Sequence, residues 1–93
     1  MNYSYVLLSD RDGNFYLGST GDLRARLLKH NSGALRSTAY RRPFRLIYYE
    51  GCWNAADARR RERYLKSGRE GRYLKQRLAS WLAEIRSNKL ERH

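Results

Sequence analysis

No stretch of this chain approaches the roughly 20 consecutive apolar residues that a membrane-crossing helix needs. Its single cysteine, Cys52, allows neither an internal disulfide nor a cysteine-based zinc site. Followed by Trp53, that thiol reads as packed and unreactive. Two histidines, one of them at the C-terminal end, are too few for a metal cluster. No GxxxxGK[ST] phosphate loop is present, and no nucleophile-elbow sequence surrounds Ser4, Ser9 or Ser19, the serines that could serve with His30. The first residues, MNYSYVLLSDRDG, have no basic segment followed by a long apolar one, so no signal peptide is expected. With a lone thiol, the expected setting is reducing and cytoplasmic.

Acidic residues are scarce beside basic ones. Nine Asp and Glu face 20 Lys and Arg, a formal net charge of +11, and sixteen of the cations are Arg. A compact chain with that excess repels itself, which points to a polyanionic partner. Arginine in place of lysine suits phosphate held in a planar fork. Nucleic acid is therefore the expected partner, ahead of an anionic membrane, an acidic protein or a basic charge without functional meaning. No obligatory protein partner is evident. Ninety-three residues with 41% hydrophobic and 13% aromatic side chains make one domain with a small core. It is expected over residues 1–86, with a frayed tail over 87–93.

Tyr3 to Leu8 reads as a strand with apolar residues on both faces, and Asp10-Arg11-Asp12-Gly13-Asn14 as a turn. Phe15 to Gly18 then resumes an extended pattern and completes a hairpin. Asp22 caps a helix through Leu23, Leu27 and His30, which Asn31 or Gly33 ends. Residues 34–43 form a basic connection, and Pro43 opens a third strand, Phe44 to Tyr49. A helix from Asn54 or Asp57 to about Ser67 should stop at Gly68. One more, from about Glu70 to Arg86, aligns Leu74, Leu78, Trp81, Leu82 and Ile85. The class is α+β: a small central three-stranded, mainly antiparallel sheet flanked by helices, in the order β-β-α-β-α-α.

Glu62 is the most informative position. On a helix it shares a stripe with Ala55, Ala58 and Leu65, where an unpaired carboxylate costs several kcal/mol. It is either paired with a neighbouring arginine or a metal ligand or active-site carboxylate. Arg26 and His30, four residues apart, stack on one helix face beside the buried side. They either meet phosphate and shuttle protons, or merely answer the helix dipole and solvent. Tyr5 and Tyr16 could present both hydroxyls on one sheet face, or could be core residues with wet tips.

Taken in order, Ser4-Tyr5-Val6, ten intervening residues from Tyr5 to Tyr16-Leu17-Gly18, the helix Asp22 to Asn31 with Arg26 and His30, and Arg61-Glu62-Arg63 resemble the small single-domain members of the GIY-YIG nuclease superfamily. The likeness extends through Arg42-Pro43 and Tyr64-Leu65-Lys66-Ser67-Gly68. Tyr3-Ser4-Tyr5 stands for Gly-Ile-Tyr, and Leu17 for isoleucine. The resemblance implies a GIY-YIG fold and a Mg²⁺-dependent endonuclease, with Mn²⁺ able to substitute, that hydrolyses phosphodiester bonds by a one-metal mechanism. In it Glu62 holds the metal, and Tyr5, its pKa lowered by nearby cations and metal, is the general base. Arg26 neutralises phosphoryl charge, and Tyr16 and His30 share water orientation and proton transfer. A polar position of relatives falls on Ser37, Thr38 or Tyr40. Arg36, Arg41, Arg42, Arg45, Arg59, Arg60, Arg63 and Lys66 are the expected phosphate contacts. The alternatives are a non-catalytic DNA- or RNA-binding module of the same fold, and a basic scaffold for an acidic protein or ribosome.

Overall fold

The computed structural model describes residues 1–91, and for 68–71, 73 and 86–91 the backbone only. The elements are β1 (Asn2–Ser9), β2 (Phe15–Thr20), α1 (Leu23–Ser32), β3 (Phe44–Cys52), α2 (Ala55–Lys66), α3 (Gly68–Arg77) and α4 (Ala79–Glu91), with a single 3-10 turn at Ala39–Arg41. The chain divides into two compact units, Met1–Arg63 and Tyr64–His93. That division falls inside the single domain expected over 1–86. No helix among the described residues is long and apolar enough to cross a membrane.

The sheet has three strands in the order β2-β1-β3, antiparallel throughout. Its middle strand is the one whose sequence is apolar on both faces, because β1 alone is covered on both sides. Tyr5 and Leu7 face α1 and pack with Phe44, Tyr16, Leu23, Leu27 and Leu46. Ser4, Val6 and Leu8 point the other way and are equally buried. On that second face the Ser4 hydroxyl donates to the Ala58 carbonyl of α2 at 2.8 Å. Arg61 of α2 forms a two-pronged ion pair with Glu50 of β3, 2.7 and 3.0 Å. Replacing Leu7, which has no exposed surface, with Ala would remove about 2–5 kcal/mol. A bulge between Val6 and Leu7 in the β1–β3 pairing shifts the register, so Val6 meets Tyr48 and Leu7 meets Leu46.

The helix ends follow local chemistry. Asp22 accepts from the Ala25 amide at 3.1 Å, and Gly33 closes α1 at φ 81°, in the left-handed region that glycine tolerates best. Asn54 caps α2 through the Ala56 and Asp57 amides. Gly68 differs from expectation: it opens α3 after Ser67 instead of merely stopping α2. The expected single helix over 70–86 is likewise interrupted at Leu78. Helical bonds still span that point, Leu78 N–H to Leu74 at 3.0 Å and Leu82 N–H to Leu78 at 2.9 Å, so the joint is a bend. Leu74 is buried and Leu78, Trp81, Leu82 and Ile85 half-buried, as their spacing predicts. Helix α4 runs to Glu91, where a frayed tail was expected from Ser87; 92–93 lie outside the described residues.

Residues 34–43 are less independent than a bare basic connection. Arg41 reaches back to the β1–β2 turn, pairs with Asp12 at 2.7 Å and donates to the Asn14 and Phe15 carbonyls. Its guanidinium also lies 5.6 Å from the Phe44 ring centroid. This corrects the assignment of Arg41 to phosphate: a mostly buried guanidinium with this many partners is a tie between loops. Arg41, first, then the Asn14 amide, holds the Asp12 carboxyl down at about 2 from its ordinary 3.8. A depressed carboxyl stabilises the fold above its unfolded pKa, and that contribution fades as pH falls from near 4 towards 2. Arg41→Ala is therefore expected to lower the melting temperature and to flatten the stability profile in that acid window. The same variant should leave the salt dependence of nucleic-acid binding unchanged, measured by denaturation and binding titrations on the same preparation.

Candidate active site

Five residues chosen from sequence, Tyr5, Tyr16, Arg26, His30 and Glu62, all lie in the Met1–Arg63 unit. The strand register puts Tyr5 opposite Gly18 and Tyr16 opposite Leu7, so the two tyrosines are diagonal neighbours on one face. Their ring centroids are 6.4 Å apart. Gly18 is what makes this possible. The Tyr5 phenol lies directly over it, and a Cβ there would collide with the Tyr5 hydroxyl and Cζ. The glycine thus admits a neighbouring side chain.

His30, on the last turns of α1, is buried and bonded through both ring nitrogens. Nε2 is 3.0 Å from the Tyr5 hydroxyl, and Nδ1 is 2.9 Å from Thr38 Oγ1. The reading of His30 as a helix-end residue answering the dipole gives way to this pairing. Thr38 resolves the choice among Ser37, Thr38 and Tyr40: it alone is buried, whereas Tyr40 is 67% exposed. The Leu35 carbonyl, 3.5 Å from the Thr38 hydroxyl, can take its proton. Thr38 Oγ1 then accepts from Nδ1–H, which leaves Nε2 to accept from the phenol. Tyr16 stacks edge-on against His30 at 4.9 Å between centroids, and Phe44 does so at 5.6 Å, with Tyr16 and Phe44 themselves 6.4 Å apart.

The electrostatics join Arg26 and Glu62 to this group. Burial, the largest cause, pushes the Tyr5 phenol well above its ordinary value; Tyr16 adds to the rise, Arg26 opposes it and Glu62 adds again. The part of the expected lowering of the Tyr5 pKa that rested on nearby cations is therefore overturned, because desolvation exceeds the pull of the nearest one. Burial, then Arg26, lowers the His30 pKa, so the ring is neutral near pH 7. Glu62 is half-buried on α2, one turn beyond Ala58, whose carbonyl Ser4 holds. Ala58 and Leu65 of its stripe are buried, while Ala55 is exposed. Two of the arginines around it have other acids: Arg60 pairs with Asp57, and Arg61 with Glu50.

Glu62 brings a carboxylate within electrostatic reach of the Tyr5 phenol. Among the described residues no three His, Cys, Asp or Glu side chains cluster as a ready-made metal cage. One carboxylate with hard oxygen neighbours fits an ion that fills its shell with water and substrate phosphate. Asp10, Asp12, Asp22 and Asp57 are turn, cap and ion-pair residues.

Two positioning residues escaped the sequence reading. Ser4 looked only like a substitution for isoleucine, and its bond to Ala58 depends on a helix far along the chain. Asn31 was read as a helix terminator, yet its side chain both accepts from the Phe44 amide at 2.6 Å and donates to the Phe44 carbonyl at 3.1 Å. It thereby fastens the His30 turn to β3. Its place just after His30 was the available signal.

The expected phosphate contacts are scattered. Arg36, Arg42, Arg59 and Arg63 are exposed and form no ion pair among the described residues. Arg45 and Arg60 are in exposed pairs with Asp10 and Asp57, and Lys66 is exposed on the far end of α2.

The depressed His30 pKa has a stability consequence. The unfolded imidazole takes up a proton near 6.5, where the folded one does not, so stability present above that pH is lost as pH falls below it. The expected slope is up to about 1.4 kcal/mol per pH unit. Denaturant titrations from neutral pH to pH ~5 should show it in the wild type and not in His30→Gln.

Comparison with known proteins identifies the family of this chain. The family model described as the GIY-YIG catalytic domain matches residues 1–74. A UPF0213 protein of Streptococcus pneumoniae is 45% identical over 65 residues, 69% of this chain and 65% of that protein. One from Lacticaseibacillus paracasei is 43% identical, covering 69% and 72%, and one from Clostridium perfringens 39%, covering 71% of each. The solution structure of a UPF0213 protein from Bacillus halodurans is 37% identical over 80% of this chain and 82% of that one, with a TM-score of 0.48. With four-fifths of its length inside the matched model, the chain belongs to the GIY-YIG catalytic domain family, a nuclease-type family.

Proposed function

We propose that the protein is a Mg²⁺-dependent endonuclease that hydrolyses phosphodiester bonds in DNA, with Tyr5 as the general base. The observation that carries this reading is the buried Tyr5–His30 hydrogen bond, 3.0 Å, set within electrostatic reach of both Arg26 and Glu62. Glu62 is the residue that would hold the ion, and a bound Mg²⁺ supplies charge stabilisation at the phosphoryl and leaving oxygens. Mn²⁺ can replace it.

Because the Tyr5 pKa is raised, a standing phenolate is not the base at neutral pH. A relay fits the geometry better. The water oxygen attacks phosphorus as its proton passes to Tyr5 Oη, and the Tyr5 hydroxyl proton passes to His30 Nε2. The bond from phosphorus to the leaving oxygen then breaks, that oxygen takes a proton from solvent water, and His30 gives its proton back through Tyr5 to solvent before the next turnover. Thr38 holds the ring in the tautomer that accepts at Nε2. Tyr16 packs the imidazole in place, and Arg26 faces the phosphoryl charge that builds up. This division favours His30 for proton transfer and Tyr16 for orientation, roles that sequence alone leaves shared.

Cleavage of a panel of labelled DNA duplexes, flaps and branched structures, with Mg²⁺, Mn²⁺ or chelator, tests the reading. Tyr5→Phe, His30→Gln and Glu62→Ala should each slow cleavage by about 10²- to 10⁴-fold while binding stays near wild type. Chelation should abolish turnover. Wild-type rates in Tyr5→Phe and Glu62→Ala would remove the catalytic assignment, and binding without cleavage by the wild type would favour the non-catalytic module.

Phosphate contact outside the site falls to Arg36, Arg42, Arg45, Arg59, Arg60, Arg63 and Lys66. Exposed pairs such as Arg45–Asp10 and Arg60–Asp57 are weak and can exchange their carboxylate for phosphate. If about six of these meet DNA, log K should fall against log salt with a slope near −5. A flat salt titration would contradict the electrostatic reading.

A further inference from the structure

The sheet face that carries Tyr5 continues past the catalytic group. Tyr5 is opposite Tyr49, and Tyr3 opposite Gly51, so Tyr3, Tyr5 and Tyr49 share one side of the β1–β3 ladder. Tyr3 and Tyr49 pack edge to face, centroids 5.9 Å apart at 71°. Tyr49 is 56% exposed. A groove of about 500 Å³ lies here, lined by Tyr3, Tyr49, Leu27 and Leu46 and by the polar Asp22 and Arg24. Nothing in the proposed hydrolysis uses it.

The lining selects its occupant. Two phenol rings and two leucines favour a flat group with apolar faces. Asp22 gives one carboxylate oxygen to the Ala25 amide, and its charge repels a phosphate while accepting from ring or exocyclic N–H groups. Arg24 can donate to a ring carbonyl or to a phosphate beside it. The net charge of +11 indicates that the flat group arrives on a polyanion. Cross-strand partners such as Tyr5 and Tyr49 have Cα atoms about 5 Å apart, on the order of one nucleotide step.

We propose that this groove receives an unpaired nucleobase of the DNA substrate, stacked on Tyr49, and so directs the protein to DNA with single-stranded character. The proposal rests on the nuclease reading for its substrate. A base inside a duplex already has both faces stacked and must be flipped out at a cost of a few kcal/mol before it can enter, whereas a flap or single strand offers it directly.

Binding measured with chelator present, so that no strand is cut, isolates the groove. The probes are a single-stranded oligodeoxynucleotide, its fully abasic counterpart with the same phosphates, and a blunt duplex. The wild type should bind the base-bearing strand about tenfold tighter than the abasic one, the effect of a base–aromatic stack. Tyr49→Ala should erase most of that difference and leave duplex affinity unchanged, and Tyr49→Phe should retain it. Equal loss on all three probes, or no loss on any, would overturn the proposal. Cleavage with Mg²⁺ separates it from the nuclease reading. Glu62-dependent cleavage without a Tyr49-dependent preference removes the base site alone. A Tyr49-dependent preference in a protein that cuts nothing removes the nuclease and leaves the base site.

Discussion

A phenol and an imidazole, each almost fully buried, can be tolerated only if every polar atom finds a partner, and the Tyr5–His30 bond is where that requirement is met. The rest follows in sequence. His30 needs a second partner and takes Thr38, which fixes the 34–43 connection against α1. That connection is tied to the hairpin by Arg41 and Ser9, and its far end enters β3 at Phe44, which packs back on the His30 ring. Asn31 links the same turn of α1 to Phe44 through two hydrogen bonds. Removing either member of the central pair would leave the other as a buried group without its bond, a loss of about 1–3 kcal/mol before packing is counted.

The scarcity of acids becomes intelligible beside the distribution of arginines. Asp10, Asp12, Asp57 and Glu50 each take an arginine; the Asp10, Asp12 and Glu50 pairs tie turns or helix to sheet, and the Asp57 pair lies within α2. Those pairs divide the cations into two populations. Arg41 and Arg61 hold the architecture, and Arg36, Arg42, Arg59 and Arg63 remain exposed on the surface. A residue-type count cannot separate these populations, since Arg41 and Arg42 are chain neighbours with opposite fates.

What was legible in the sequence was whatever depends on local spacing. The two-faced apolar pattern of β1, the Asp22 and Asn54 caps, the Gly33 terminus and the α+β order all follow from neighbours within a few residues. Spacing on a helix or strand singled out the five candidate site residues with their alternatives open, and the resemblance to the GIY-YIG family chose among those alternatives. Their relationships were not legible. The 3.0 Å bond joins residues 25 apart, the Ser4 tie to Ala58 spans 54, and Thr38 enters from a segment with no periodicity. The direction in which the protein's own groups move the Tyr5 pKa was hidden for the same reason: nearby cations can be counted in a sequence, but the desolvation that outweighs them comes from packing by distant elements.

That raised pKa does not disqualify Tyr5 under the proposed mechanism. A base that must first lose its own proton to solvent would be crippled by it, since the phenolate would be rare at neutral pH. A phenol that receives one proton as it hands on another stays neutral throughout, and the charge that appears is on His30. Burial first, and Arg26 after it, disfavour that imidazolium in the resting protein, as the lowered His30 pKa records. The same cation is neutralised when a phosphate binds beside it, and the negative charge that grows on the phosphoryl oxygens then favours a protonated His30. In this mechanism the resting site holds Tyr5 protonated and His30 neutral, and the substrate's own charge offsets the Arg26 part of the penalty on moving the proton, while the larger part, burial, remains.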